Sequence, residues 1–190
     1  MTAAAPAEKL FAQLVPGDLV LVGARPGQGK TLMSLELAVQ AMKSGSRGVF
    51  FTLEYTENDM LGRFRAIGVT PEDFAGLFEF DGSDDISADY IVKRLAAAPR
   101  GTLVVVDYLQ LLDHKRENPA LMIQVQALQS FARERGLIFV FISQIDRSYD
   151  PLMKPCPGLE DVRLPNPLDL GLFSKTCFLN NGEVRFRAAS

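Results

Sequence analysis

The chain has little from which to build a metal centre or a disulfide framework. It holds two cysteines, Cys156 and Cys177, in no CxxC or Cys/His grouping, and a single histidine, His114. Zinc-finger spacing and disulfide-scaffold patterns are excluded, and each thiol reads as a buried or free side chain. His114 stands beside Lys115 and Arg116 and reads as part of a solvated loop. Long apolar runs are also missing. Stretches such as Leu103 to Val106 and Leu137 to Ile142 fall far short of the roughly 20 residues that a membrane helix needs, so no membrane partner is expected. Residues 1–10 lack a basic start and are interrupted by Pro6, Glu8 and Lys9, unlike a secretion signal, which makes a cytoplasmic location the default. Nor is there an excess of positive charge. A net charge of −3 and a pI near 5.2 give no global basic footprint for nucleic acid.

What is present is 47% hydrophobic composition over 190 residues, enough for the core of one ordinary domain spanning 1–190. Apolar runs at Leu19 to Val22, Val49 to Leu53, Leu103 to Val106 and Leu137 to Ile142 lack polar alternation, as expected of strands covered on both faces. Helical patterns lie between them. Leu32, Leu35, Val39 and Met42 form one stripe ahead of Gly45; Thr56 can cap a helix that buries Met60, Leu61, Phe64 and Ile67. A further helix is expected from near Ser87 to before Pro99, and Asn118-Pro119 reads as an N-cap followed by proline at the first helical position. This alternation predicts an α/β fold with a mainly parallel sheet wrapped by helices on both faces. Residues 1–15 read as an N-terminal extension. Residues 146–172, with prolines at 151, 155, 157, 165 and 167, read as a long loop or arm. Strands around Asn181-Gly182 then predict a closing hairpin.

The chemistry is concentrated at strand ends. The first run passes through Gly23-Ala24-Arg25-Pro26-Gly27-Gln28-Gly29-Lys30-Thr31-Leu32 into a helix, a phosphate loop in its required setting. Its glycines let N–H groups turn toward phosphate oxygens, the helix N-terminus adds positive potential, Lys30 reaches the outer phosphates and Thr31 is placed to hold Mg²⁺. Ala24 stands where the strict pattern has glycine. Asp107 ends the run Leu103 to Val106 in the form of a Walker B acid, a second candidate for the Mg²⁺. Hydrolysis also requires a group that orients or deprotonates water, and Glu54, ending its own strand, is the best-placed carboxylate. Gln144 ends the run Leu137 to Ile142, where an amide could sense the terminal phosphate.

These motifs in this order resemble the RecA-like ATPase core of DnaB-type replicative helicases. The resemblance rests on residues 23–31, Phe50-Phe51-Thr52-Leu53-Glu54, Val106 to Leu112 and Ser143 to Arg147, and it covers about Pro16 to Arg147. It implies a RecA-like P-loop NTPase that binds ATP and Mg²⁺. Glu54 would be the catalytic glutamate, Asp107 the Walker B acid and Gln144 the link from phosphate state to the DNA-facing loops. It also implies single-stranded DNA and further copies of the chain as partners. Arg147, Lys154, Arg163 and Lys175, with Tyr149 for base stacking, are the residues of 146–175 that could follow a strand; they also fit ordinary solubilising side chains. Arg185 and Arg187 read as outward strand charges. Two functions remain open, an ATPase acting on nucleic acid and a nucleotide-dependent switch or assembly module.

Overall fold

Side-chain alternation along four central strands divides the core into two layers. The computed structural model describes residues 4–164 and 166–188, so the ends of the expected 1–190 unit and Pro165 lie outside the described residues. Its strands are β1 (Leu19–Ala24), β2 (Gly48–Thr52), β3 (Phe78–Asp81), β4 (Leu103–Asp107), β5 (Ile138–Gln144), β6 (Lys175–Asn180) and β7 (Glu183–Ala188). They form one sheet in the order β3-β2-β4-β5-β1-β6-β7, parallel throughout except for the β6–β7 hairpin. Every residue of β1, β2 and β4 is buried, the signature of strands covered on both sides.

Leu19, Leu21, Phe51, Val104, Val106, Phe139 and Phe141 face one layer with α4 (Ala88–Arg94) and α5 (Leu121–Arg135). Val20, Val22, Phe50, Leu103, Val105, Val140 and Ile142 face the other, with α1 (Ala4–Ala12), α2 (Lys30–Lys43) and α3 (Glu57–Ala66). Phe50, Phe51, Phe139 and Phe141 are all fully buried. So are both thiols. Cys156 and Cys177 lie in opposite layers, and burial pushes the Cys177 thiol up to about 12, which leaves it protonated and inert. The expected helix starts at Thr56 and Ser87 are both real caps. The Thr56 hydroxyl accepts from Asp59 N while Asp59 accepts from Thr56 N, a reciprocal box, and Ser87 accepts from Tyr90 N.

Three elements differ from expectation. Helix α5 begins at Leu121 with Ala120 as cap, not at Asn118-Pro119; the Asn118 side chain is drawn back to Leu112, whose O accepts from its amide nitrogen at 3.0 Å, and Gln124 donates to Pro119 O at 2.8 Å. Strand β3 was not anticipated; its half-buried Phe-Glu-Phe-Asp sequence is too short to signal itself and pairs only with β2. Within the N-terminal extension α1 buries Ala7 and Leu10 against the α2 layer.

The segment after Gln144 is aperiodic yet tied down. An Ile145–Val162 bridge, Asp146 N to Asp161 O at 2.6 Å and Arg163 N to Gln144 O at 2.9 Å pin it beside β5. Tyr149 is only 7% exposed and donates to Lys154 O, so it cannot serve as the base-stacking platform that its sequence position suggests. The cation track is broken too. Lys154 pairs with Glu160 and Asp161, and Lys175 pairs with Asp18 at the opposite end of the sheet from the phosphate loop.

Gly23 has a packing duty. A Cβ there would stand 2.7 Å from Cε1 of Phe178 and 3.2 Å from Cδ1 of Ile145, so a methyl group has no room unless the hairpin moves. Gly23→Ala is expected to destabilise by about 1–3 kcal/mol, measured as a fall in urea midpoint with unchanged m-value.

Candidate functional site

The sheet register gathers the motifs at one edge. Ala24 of β1 pairs with Gln144 of β5, and Asp107 of β4 lies between Thr52 of β2 and Ile142 of β5. In a parallel sheet these are all C-terminal strand ends, where open α/β sheets place their ligands. Beyond Ala24 the chain turns through Gly27 and Gly29, at φ of 77° and 92°, and α2 begins at Lys30. Both glycines face open space, so they are needed for backbone conformation and not for clearance. Gly29 caps α2 without any side-chain hydrogen bond, which leaves the first-turn N–H groups available to an anion.

A cleft of about 470 Å³ opens over this turn. Pro26, Gly27, Gly29, Lys30, Thr31 and Leu32 line it together with Glu54 and Gln144. Glu54 is reached because Thr52 ends β2 with its hydroxyl accepting Glu54 N at 3.0 Å, which turns the chain before the Thr56 cap starts α3. Gln144 Oε1 lies 3.4 Å from Nη1 of Arg163.

Asp107 is the most unusual group here. It is 1% exposed, and neither carboxylate oxygen has a hydrogen-bond partner among the described residues. Burial, reinforced by the charge of Glu54 and opposed by Lys30 and Arg63, pushes its carboxyl up to about 7. An unpaired buried carboxylate is expensive in isolation. Asp107 does not itself line the cleft, but the charges of Lys30 and Glu54, which do, are felt at it, and a divalent cation would satisfy its oxygens. No group of three or more metal-binding side chains is present among the described residues, so an ion here would depend on few protein ligands.

Three of the expected loop residues, Ala24, Arg25 and Gln28, do not line the cleft. Ala24 is wholly buried in β1. Arg25 donates to Asn180 Oδ1 at 2.9 Å and lies 5.8 Å from the Tyr149 ring centroid. Gln28 Oε1 accepts from Asn181 N at 2.6 Å, tying the loop to the hairpin turn. Conversely, Tyr55 and Arg63 line the cleft although sequence reasoning passed over both. The available signal was an arginine two turns into the helix that follows Glu54, beside the buried Met60 and Phe64. Among the described residues His114 hydrogen-bonds to the backbone oxygens of Leu111 and Asp84, as a loop residue should.

The family model described as ATPase: KaiC matches residues 9–161. The chain belongs to the KaiC ATPase family. This ATPase is also similar to the replicative DNA helicase DnaB of Geobacillus stearothermophilus, 27% identical over 178 aligned residues that cover 77% of this chain and 39% of the helicase. The KaiC-family chain thus spans about two-fifths of the length of that curated relative. Among solved structures, a DnaB-like replicative helicase superposes with a TM-score of 0.70 at 20% identity, covering 93% of this chain and 52% of the other. The KaiC-like protein PH0186 from Pyrococcus horikoshii OT3 gives 0.66 at 20% identity, covering 94% and 84%. The ATPase accordingly has the RecA-like fold anticipated from its motifs, closed by the antiparallel β6–β7 hairpin. No helix among its described residues is long and apolar enough to cross a membrane.

Proposed function

We propose that the cleft binds ATP together with Mg²⁺ and hydrolyses the terminal phosphate. The observation that carries this reading is Asp107, a buried carboxylate with two unpartnered oxygens that feels the charges of Lys30 and Glu54. Thr31 and Asp107 would hold the ion, which when bound neutralises charge on the phosphates. Lys30 and the N–H groups at the start of α2 bind the phosphate oxygens and stabilise the charge that develops on them. Glu54 orients a water and accepts its proton as the new oxygen–phosphorus bond forms and the bond to the departing ADP oxygen breaks. Gln144 reports the state of the terminal phosphate to the segment after β5, through its contact with Arg163.

For the output, the similarity to a replicative DNA helicase supports work on single-stranded DNA by an assembly of several copies. A second reading, a nucleotide-dependent switch, is favoured by the buried Tyr149 and by the ion pairs that occupy Lys154 and Lys175. ATP turnover measured against protein concentration, with and without single-stranded DNA and with solution mass determined alongside, separates them. Under the motor reading DNA stimulates turnover several-fold as assembly proceeds. Turnover that rises with assembly yet ignores DNA leaves the switch.

A further inference from the structure

Strand alternation gives the β6–β7 hairpin two different faces. Cys177, Leu179, Val184 and Phe186 pack into the α2 layer. Thr176, Phe178, Arg185 and Arg187 share the other face, where the register sets Thr176 opposite Arg187 and Phe178 opposite Arg185. Over the central strands that side of the sheet is covered by α4 and α5. Beyond β1 it is covered by residues of the segments 154–160 and 170–173, which leave a cavity of about 460 Å³. Arg185 and Arg187, read from the sequence as outward strand charges, line this cavity. Its volume is that of a small-molecule site, and it shares no lining residue with the nucleotide cleft.

The lining joins an apolar wall to a group of cations. Leu159, Leu170, Phe173 and Phe178 supply the wall, and burial pushes the Cys156 thiol up, so that it stays protonated and adds to it. Lys154, Arg185 and Arg187 set three positive charges against the single acid Glu160, in a chain whose net charge is −3. Lys154 is already answered by Glu160 and Asp161. The two arginines are less well matched. Arg185 meets Glu183 through Nε at 3.5 Å, and Arg187 makes no ion pair among the described residues. We infer that this cavity is a second ligand site, which takes a small organic anion with an aromatic or acyl body: Arg185 and Arg187 hold the anionic head, and the body lies against Phe173 and Phe178. An inorganic anion would leave the apolar wall wet, and a neutral hydrocarbon would leave the guanidinium groups without an acceptor, so both halves of the ligand are needed. With Glu160 engaged by Lys154 and the thiol protonated, the lining offers no free base or thiolate, so the site binds its ligand without reacting with it. The inference stands apart from the ATPase reading of the cleft.

The test titrates the full chain with anilinonaphthalene sulfonate, which fluoresces in apolar sites, and with phenylnaphthylamine, the same body without the sulfonate. The sulfonate should saturate a single site per chain, and the neutral amine should bind at least about tenfold more weakly. Naphthyl phosphate should displace the sulfonate, whereas inorganic phosphate should not. Joint replacement by Arg185→Gln and Arg187→Gln should weaken the sulfonate by about tenfold or more and leave the amine unchanged. Leu159→Glu, at a wall position that is 39% exposed, should also weaken the anion by adding a like charge. Lys30→Ala, in the nucleotide cleft, should bind the sulfonate as the parent does. Melting temperature is measured for every variant; where the double variant melts below the parent, Arg187→Gln alone and Leu159→Glu decide, each with an expected loss of about threefold or more. Equal affinity for the two probes, displacement by inorganic phosphate, or loss of binding in Lys30→Ala overturns the inference. So does parental affinity in Arg187→Gln and Leu159→Glu, or a parent chain that binds neither probe.

Discussion

Glu54→Gln is expected to cut ATP turnover by about 10²–10⁴-fold while leaving the nucleotide bound, the usual range for removing a general base. Glutamine keeps the size of the side chain and its place beyond β2, where the Thr52 hydroxyl fixes the chain at Glu54 N, but it cannot accept the proton of water. The glycines, Lys30 and the start of α2 are untouched, so binding of a non-hydrolysable analogue should change little. Loss of the Glu54 charge has a second consequence, since that charge helps to raise the Asp107 carboxyl. Single-turnover quench with radiolabelled ATP separates the chemical step from product release. A variant that hydrolyses at the parental rate removes Glu54 from the base role.

Asp107→Asn should make the protein more stable and inactive at once. In the folded chain the carboxyl is pushed up to about 7, from 3.8, chiefly by burial. A raised folded value means that the native state holds its proton more tightly than the unfolded chain. The penalty is absent below about pH 4 and grows as pH rises through the folded value. Asparagine removes the charge but still buries an amide with few partners, so about 2 kcal/mol of the possible gain should be realised above pH 7. For a chain of this size that is a rise of about 4–8 °C in melting temperature, shrinking toward zero as the pH approaches 4. Differential scanning calorimetry at pH 5 and pH 8 without nucleotide measures it. In the same variant Mg²⁺-dependent turnover should fall by at least about 10²-fold. Equal or lower stability at pH 8 would mean that Asp107 already has a partner in solution.

The central strands were legible because burial on both faces demands uninterrupted apolar runs, and Val104-Val105-Val106 or Phe139-Val140-Phe141 have no other easy explanation. A parallel sheet then brings Lys30, Glu54 and Gln144 to one edge by topology alone, and a single cleft holds all three. What stayed hidden depends on contacts distant in sequence. Nothing local marks Tyr149 as buried, since its place is set by Asn180 and Arg25. Arg63 looks like any helix-surface arginine until α3 swings it back over Tyr55. The start of α5 slipped because the Leu112 carbonyl, six residues upstream, binds the Asn118 amide nitrogen and draws that side chain away from the helix. β3 escaped because an edge strand of four residues needs only two half-buried phenylalanines.

Asn180 is a mechanical junction. Its side chain accepts from Arg25 of the phosphate loop and donates to Pro155 O of the proline-rich segment, while the next residue, Asn181, donates its N–H to Gln28. Three pieces of chain that are far apart in sequence therefore share one stiff joint, 2% exposed to water. Ordering a free loop would cost about 1–2 kcal/mol per residue in backbone entropy, whereas this loop is braced from behind before any ligand arrives. The hairpin at the far end of the chain thus sets how rigid the cradle is, without touching what the cradle holds.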